Sequence, residues 1–186
     1  MKTLLILTAA AAITMGTSAE TFTIDTGHAE IGFSVKHMMV SNTKGAFNTF
    51  EGTIDVDLES KTLKSIEGTI SAESIDTNNE KRDNHLRAED FFHVEKYPAI
   101  TFKSTAVKKL TDSTYEVTGT LNILGKDHTV VLPVTLNGPI DDPYGMKRLG
   151  IESDIVLNRR DLGITNSPAA VIGDEVKVSL SMEATM

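Results

Sequence analysis

The segment EKRDNHLRAEDFF, residues 80–92, gathers the side chains best able to do chemistry. Arg82, Asp83, His85, Arg87 and Asp90 crowd together, and Phe91 and Phe92 close the run. An arginine here could pair with a phosphate or a carbonyl oxygen. A histidine could gain or lose charge near neutral pH. Together, Arg82, Asp83 and His85 could supply acid, base and charge-stabilising groups to a reaction. Elsewhere such residues are thin. The five histidines are 28, 37, 85, 93 and 128, and none stands at i, i+2 or i, i+4 from another. A zinc site needs three or four convergent ligands, so the spacing predicts no metal centre. The chain has no GxSxG, HExxH, CxxC or GxGxxG motif, and no catalytic residue is assigned.

The insert must be held by some element. Thr77 followed three residues later by Glu80 reads as a capping box, which predicts a short helix at about 78–88. Asp83 and Arg87 stand at i, i+4 and can pair. Arg82, His85 and Leu86 share a side. Leu86 is the only large apolar residue in the helix, so the helix cannot build a core. Phe91 and Phe92 are expected to dock it as a cap over a larger structure.

That larger structure is written in a period of two, the mark of half-buried strands. AEIGFSVKH places Ile31, Phe33 and Val35 on one face. GAFNTFEGTIDVDL does the same with Phe50, Gly52, Ile54 and Val56. SIEGTISA, AITFKSTAV, YEVTGTLNI, HTVVLPVTL, RLGIESDIVL and EVKVSLSM follow, giving eight strands. Short turn-rich links between them imply antiparallel neighbours. Eight such strands can close into a barrel wide enough for side chains or one ligand. Small inward residues (Gly52, Gly68, Ala72, Ser104, Ala106, Gly119 and Ser153) suggest a roomy interior.

Composition narrows the class. Of 186 residues none is Cys or Trp, and the net charge is −8. An acidic chain disfavours nucleic acid and anionic surfaces as main partners. Residues 1–19, with Lys2, an apolar run and the small residues before Ala19, read as a secretory leader. Residues 20–186 then form one domain. A membrane barrel would need an apolar outer face. Here that face carries Lys36, Glu51, Asp55, Asp57, Lys103 and Glu116, and a basic residue near the bilayer midplane costs about 2–4 kcal/mol. No stable membrane insertion is expected.

Four segments resemble the YceI-like family of periplasmic isoprenoid-binding proteins. They are GHAEIGFSVKHMMVSNTKGAFNTFEGTI, RDNHLRAEDFFHVEKYPAITFKS, YEVTGTLNILGKDHTV and RLGIESDIVLNRRDLGI. The likeness runs from about residue 22 to 184. It implies a lipocalin-like antiparallel barrel whose apolar tunnel holds a polyprenyl chain, such as the tail of a quinone precursor or a prenyl phosphate. The family's motif positions fall on His28, Phe33, His37, Gly45, Phe47, the lid residues Arg82 to Phe92, and Arg160, Asp161 and Gly163. Leu162 departs from the pattern, standing where an aromatic residue is common.

The combined expectation is an all-β, eight-stranded lipocalin-like barrel that carries or stores an isoprenoid lipid in the periplasm, without a cofactor. The lid and mouth are assigned to Arg82, Asp83, His85, Leu86, Phe91, Phe92 and Arg160. The apolar tunnel is assigned to Phe33, Val35, Phe47, Phe50, Ile54, Ile70, Phe102, Leu121, Leu132 and Ile151. A homodimer is compatible with this reading. One alternative is a hydrolase or isomerase acting on a lipid in the same cavity; another is a stress-induced interaction protein with a filled core.

Overall fold

The computed structural model describes residues 19–186. The expected leader, residues 1–19, lies outside the described residues apart from Ala19. All eight segments of alternating sequence are strands, most of them longer than the pattern alone gave. In chain order they are β1 (Ala19–His37), β2 (Ser41–Phe47), β3 (Phe50–Asp57), β4 (Thr62–Ser71), the two-residue β5 (Ile75–Asp76), β6 (Ala99–Lys109), β7 (Thr114–Ile123), β8 (Lys126–Asp141), β9 (Lys147–Asn158) and β10 (Ile172–Thr185). Among the described residues a 3₁₀ turn (Ala72–Ser74) joins β4 to β5, and one α-helix, α1 (Glu80–Arg87), lies between β5 and β6.

The sequence segment 45–58 forms two strands because the ladder lapses at Asn48 and Thr49. Both pieces pair antiparallel with β1, through Ile31↔Phe47 above and Glu20↔Val56 below. They act as one bent stave. At the other edge β10 pairs with β9 and also with β1, through Phe33↔Val178. The sheet therefore closes on itself as an eight-stranded antiparallel barrel. Closure removes the free edges an open sheet would present.

Closure is not uniform around the wall. The β8–β9 register ends at Thr135↔Glu152, although β8 begins at Lys126 and β9 runs on to Asn158. The β4–β6 register covers Glu67–Ser71 against Ala99–Lys103. Just past it, the Ser104 hydroxyl accepts the Ile66 N–H at 2.9 Å, replacing a ladder bond with a side chain.

The inward faces make two apolar clusters. The lower one holds Phe22, Ile54, Val56, Tyr115, Val117, Leu149 and Ala184, each at most 2 % exposed. Fully burying a side chain of the Val, Ile or Phe kind contributes about 1.5–3 kcal/mol, so this end carries much of the fold's stability. The upper cluster includes Ile31, Phe47, Ile75, Phe91, Ile100 and Leu162, with a larger share of half-buried side chains around it.

The helix differs from expectation at its start. Its N-cap is Asn79, whose side-chain oxygen accepts the Arg82 N–H at 3.0 Å. Thr77 is not the cap, because its hydroxyl and its backbone N–H both donate to the Asp83 carboxylate, the latter at 2.9 Å. Asn78, at φ 59°, turns the chain between them. Asp83 is buried with Thr77 and does not pair with Arg87. Arg87 instead donates to the carbonyls of Glu73 (2.8 Å) and Ile75 (2.7 Å), clamping α1 to β5.

Candidate binding cavity

The upper half of the barrel encloses a cavity of about 260 Å³. Its walls are the inward side chains of β1 to β10, Ile75 standing for the short β5, and its floor is the top of the lower cluster at Ile54, Val134 and Ile151. Every residue assigned to the tunnel lines it: Phe33, Val35, Phe47, Phe50, Ile54, Ile70, Phe102, Leu121, Leu132 and Ile151. Strand parity explains this agreement, since one register error would have turned a whole set outward.

The room does not come from the small inward residues as a group. Of those seven, Gly68 and Ser153 line the cavity. At Gly119 the Phe102 ring occupies the space of a side chain, and an added Cβ would overlap its Cζ. Gly45 makes the same kind of allowance for Phe33, 2.5 Å from its would-be Cβ. Ser104 is spent on the backbone bond to Ile66. The cavity exists because the upper clusters fail to meet across the axis.

The lid residues divide into two groups. Leu86, Phe91 and Phe92 line the cavity. Phe92 meets Phe47 edge-on at 5.7 Å between ring centroids, and Phe47 in turn tilts against Phe33 at 5.8 Å. These three rings join the lid to β1 and β2, with the geometry aromatic pairs favour. Arg82, Asp83 and His85 are not among the lining residues. Arg82 donates to the Thr77 hydroxyl (2.6 Å) and carbonyl (2.7 Å). His85 Nε2 lies 2.9 Å from Asp90 Oδ2 on the exposed side, with its ring edge-on to Phe91. Arg82 and His85, assigned to the lid and mouth, thus hold the lid's own backbone and surface and do not line the cavity. The acid/base trio of the enzymatic alternative does not converge on the cavity.

Asp90 links two parts of the rim. It takes the His85 contact and also a bond from Asn166 at 3.3 Å, in the loop between β9 and β10. The bond to His85 is the main cause that holds the Asp90 carboxyl below the usual aspartate range.

Arg160 also stands outside the cavity wall; its guanidinium donates to Asp174 (2.6 Å) and to the carbonyls of Thr165 and Ser167. Its neighbour Arg159 is the lining residue, only 3 % exposed. Arg159 donates to the carbonyls of Gly173, Ile164, Asn166, Ser167 and Ile172 at 2.7–3.0 Å. Burial, with Arg160 beside it, pushes its pKa down, while Asp174 opposes. Its donors are committed to fixing the loop that brings Leu162 and Ile164 to the cavity rim. Parity could have found it, because Arg159 is the next inward position after Leu149, Ile151, Ser153, Ile155 and Leu157.

The remaining interior is nearly all hydrocarbon. Ser153 is 4 % exposed and its hydroxyl has no partner. Four polar residues, Glu51, Glu67, Thr69 and Thr101, border the cavity on the β3–β4–β6 wall, but by parity their side chains belong to the outer face. One cluster elsewhere brings Asp25, His28 and Glu183 within ligand reach of one another. Arg148 Nη1 already bridges its carboxylates, at 3.1 Å to Asp25 and 2.6 Å to Glu183, so the chain itself compensates that charge.

A closed antiparallel barrel, filled at one end, hollow and greasy at the other and covered by a helix with an aromatic tail, defines a class of binding barrel. The chain belongs to the YceI-like family, whose domain profile matches residues 22–184. It is similar to the UPF0312 protein ECA1782 of Pectobacterium atrosepticum, 39 % identical over 88 % of this chain and 87 % of that one. Protein YceI of Salmonella newport is 37 % identical over 84 % of this chain and 81 % of its own. Among solved structures, the Campylobacter jejuni YCEI protein superposes with a TM-score of 0.76 at 32 % identity, covering 81 % of this chain and 89 % of that one. BcnA of Burkholderia cenocepacia shares the fold with a TM-score of 0.78 at 24 % identity, over 87 % and 99 % of the two chains. A polyisoprenoid binding domain from Saccharophagus degradans shares it with a TM-score of 0.64 at 15 % identity, over 88 % and 97 %.

Proposed function

We propose that the protein binds a long-chain isoprenoid lipid, such as a quinone precursor or a prenyl phosphate, and carries or stores it as a soluble exported protein of the periplasm. The observation that carries this reading is the apolar cavity, walled by residues of all ten strands and bordered at the lid by Leu86, Phe91 and Phe92. The fold shared with a polyisoprenoid binding domain supports it. So does the chemistry. A buried methylene contributes about 0.8 kcal/mol, so a few isoprene units supply ample gross binding energy against the ordering cost. No helix among the described residues is long and apolar enough to cross a membrane. The outer face of the barrel is charged, as a water-exposed wall requires.

The test is expression with its leader, purification without detergent, and mass spectrometry of the organic extract. The expected result is a polyprenyl lipid in stoichiometric amount, recovered from the periplasmic fraction. A protein that emerges empty and shows no uptake of an octaprenyl phenol or decaprenyl phosphate in titration overturns the reading.

A further inference from the structure

The turn joining β1 to β2 goes against two local preferences in the same place. His37 to Val40 form a tight turn closed by the Val40 N–H donating to the His37 carbonyl at 3.1 Å. Its central residues, Met38 (φ 49°) and Met39 (φ 60°), both sit in the left-handed region. Those φ values are the ones a type I′ turn has at its two central residues, here within a three-residue link since His37 pairs with Ser41, and Asn or Gly is the low-strain occupant of such positions. Methionine offers neither a missing Cβ nor a local hydrogen bond, so its backbone is strained there. The same side chains also stand in solvent: Met38 is 51 % exposed, Met39 62 % and Val40 83 %. A sequence that breaks two preferences at one exposed point signals a function outside the fold.

We propose that this hairpin tip docks the protein on an anionic lipid bilayer, with Met38, Met39 and Val40 seated among the headgroups. The tip stands at the capped end, just past the cavity. It follows the lining residues Phe33 and Val35 on β1, and the Met38 N–H is tied to the carbonyl of Val171, next to the lining residue Ile172. Its charge fits the partner. The whole chain is net −8, yet no acidic residue occurs from Ile31 to Phe50, while Lys36 and Lys44 flank the tip. On β10 the exposed Lys177 lies opposite Ser34; the nearby acids are Glu175 and Asp174, the latter already held by Arg160 at 2.6 Å. The hairpin at the other end makes the contrast. Its exposed Ile140, Tyr144 and Met146 are accompanied by Asp141 and Asp142, paired with Lys147 and Arg148, so that hairpin offers no net basic charge to an anionic surface. Flexible apolar side chains with basic neighbours are the composition of reversible interfacial anchors. The purpose of docking rests on the lipid-binding reading, but docking itself is measured without cargo.

The test uses delipidated protein and vesicles of phosphatidylglycerol with phosphatidylethanolamine, compared with phosphatidylcholine, by co-sedimentation. The double variant Met38→Asn/Met39→Gly relieves the turn and removes the apolar tip. It is expected to lose at least tenfold in partitioning while its Tm rises by about 2–4 °C. Lys36→Gln and Lys44→Gln each lower binding to the anionic vesicles alone, by about fivefold. Ile140→Ser/Tyr144→Ser leaves partitioning unchanged. Absence of vesicle binding by the wild type, equal binding by the Asn-Gly variant, or a dimer that dissociates in that variant overturns the proposal. Retained polyprenyl lipid without vesicle binding sinks docking alone; vesicle binding by a protein that takes up no polyprenyl lipid sinks the cargo reading alone.

Discussion

Below the level of Ser153 the barrel interior is filled, and above it the same alternating pattern leaves a void. Phe22, Val56, Tyr115 and Val117 are essentially inaccessible, whereas Phe33, Val35, Leu121 and Leu157 reach only part of the way across and border the cavity. The two halves share most of their strands and their side-chain types, with β2, β5 and the loop after β9 added in the upper one. They differ in what crosses the axis. In the lower half the inward faces meet each other. In the upper half they meet a lid that brings Leu86, Phe91 and Phe92. Stability and capacity are thus segregated along one barrel, so each can be altered without the other.

The sharpest way to break this comparison is to empty the filled half. Phe22→Ala is expected to cost about 3–5 kcal/mol in urea unfolding, because the cavity it leaves cannot collapse inside a closed sheet. The lid comes next. Asp83→Ala strands the Thr77 N–H and hydroxyl, so it should cost about 1.5–3 kcal/mol and expose the amides of α1 to hydrogen exchange. Amides of the lower strands should stay protected; equal loss in both halves would show that lid and floor are one cooperative unit. Enlargement tests the contrast more finely. Val117→Phe overpacks the lower cluster and should cost about 1–3 kcal/mol, while Leu121→Phe enters empty space, with less loss of stability and a lower capacity for polyprenyl lipid. The smallest effect is electrostatic. The Asp90 carboxyl is depressed mainly by its bond to His85. Its contribution is therefore present above the ordinary aspartate value of about 3.9 and lost as pH falls through the lower folded value. An NMR titration should place the Asp90 midpoint below that of a free aspartate, and His85→Gln should move it back up.

The walls were legible because period two admits only two answers per strand, and a buried face selects one. Ile54, Leu121 and Ile151 could be assigned inward from spacing alone. The lid was less legible. Helical spacing put Arg82, His85 and Leu86 on one side, but with Leu86 as the only large apolar residue the sequence does not say which side turns in. The true cap, Asn79, and the false one, Thr77, are both good capping residues; a contact between Thr77 and the buried Asp83 decides between them. The family motif points to Arg160, whereas parity along β9 points to Arg159 as the inward arginine. The break at Asn48 and Thr49 does leave a trace: Phe47 and Phe50 both line the cavity although they stand three apart, which an unbroken period of two forbids.

The interrupted ladder between β8 and β9 has a mechanical result. A hoop bonded all the way round has a fixed girth. Here the hoop lacks paired register at two staggered places, between β8 and β9 above Thr135↔Glu152 and between β4 and β6 below Glu67↔Lys103. Spreading the upper parts of β8 and β9 breaks no β8–β9 ladder bond, so the wall can stretch there where the guest sits.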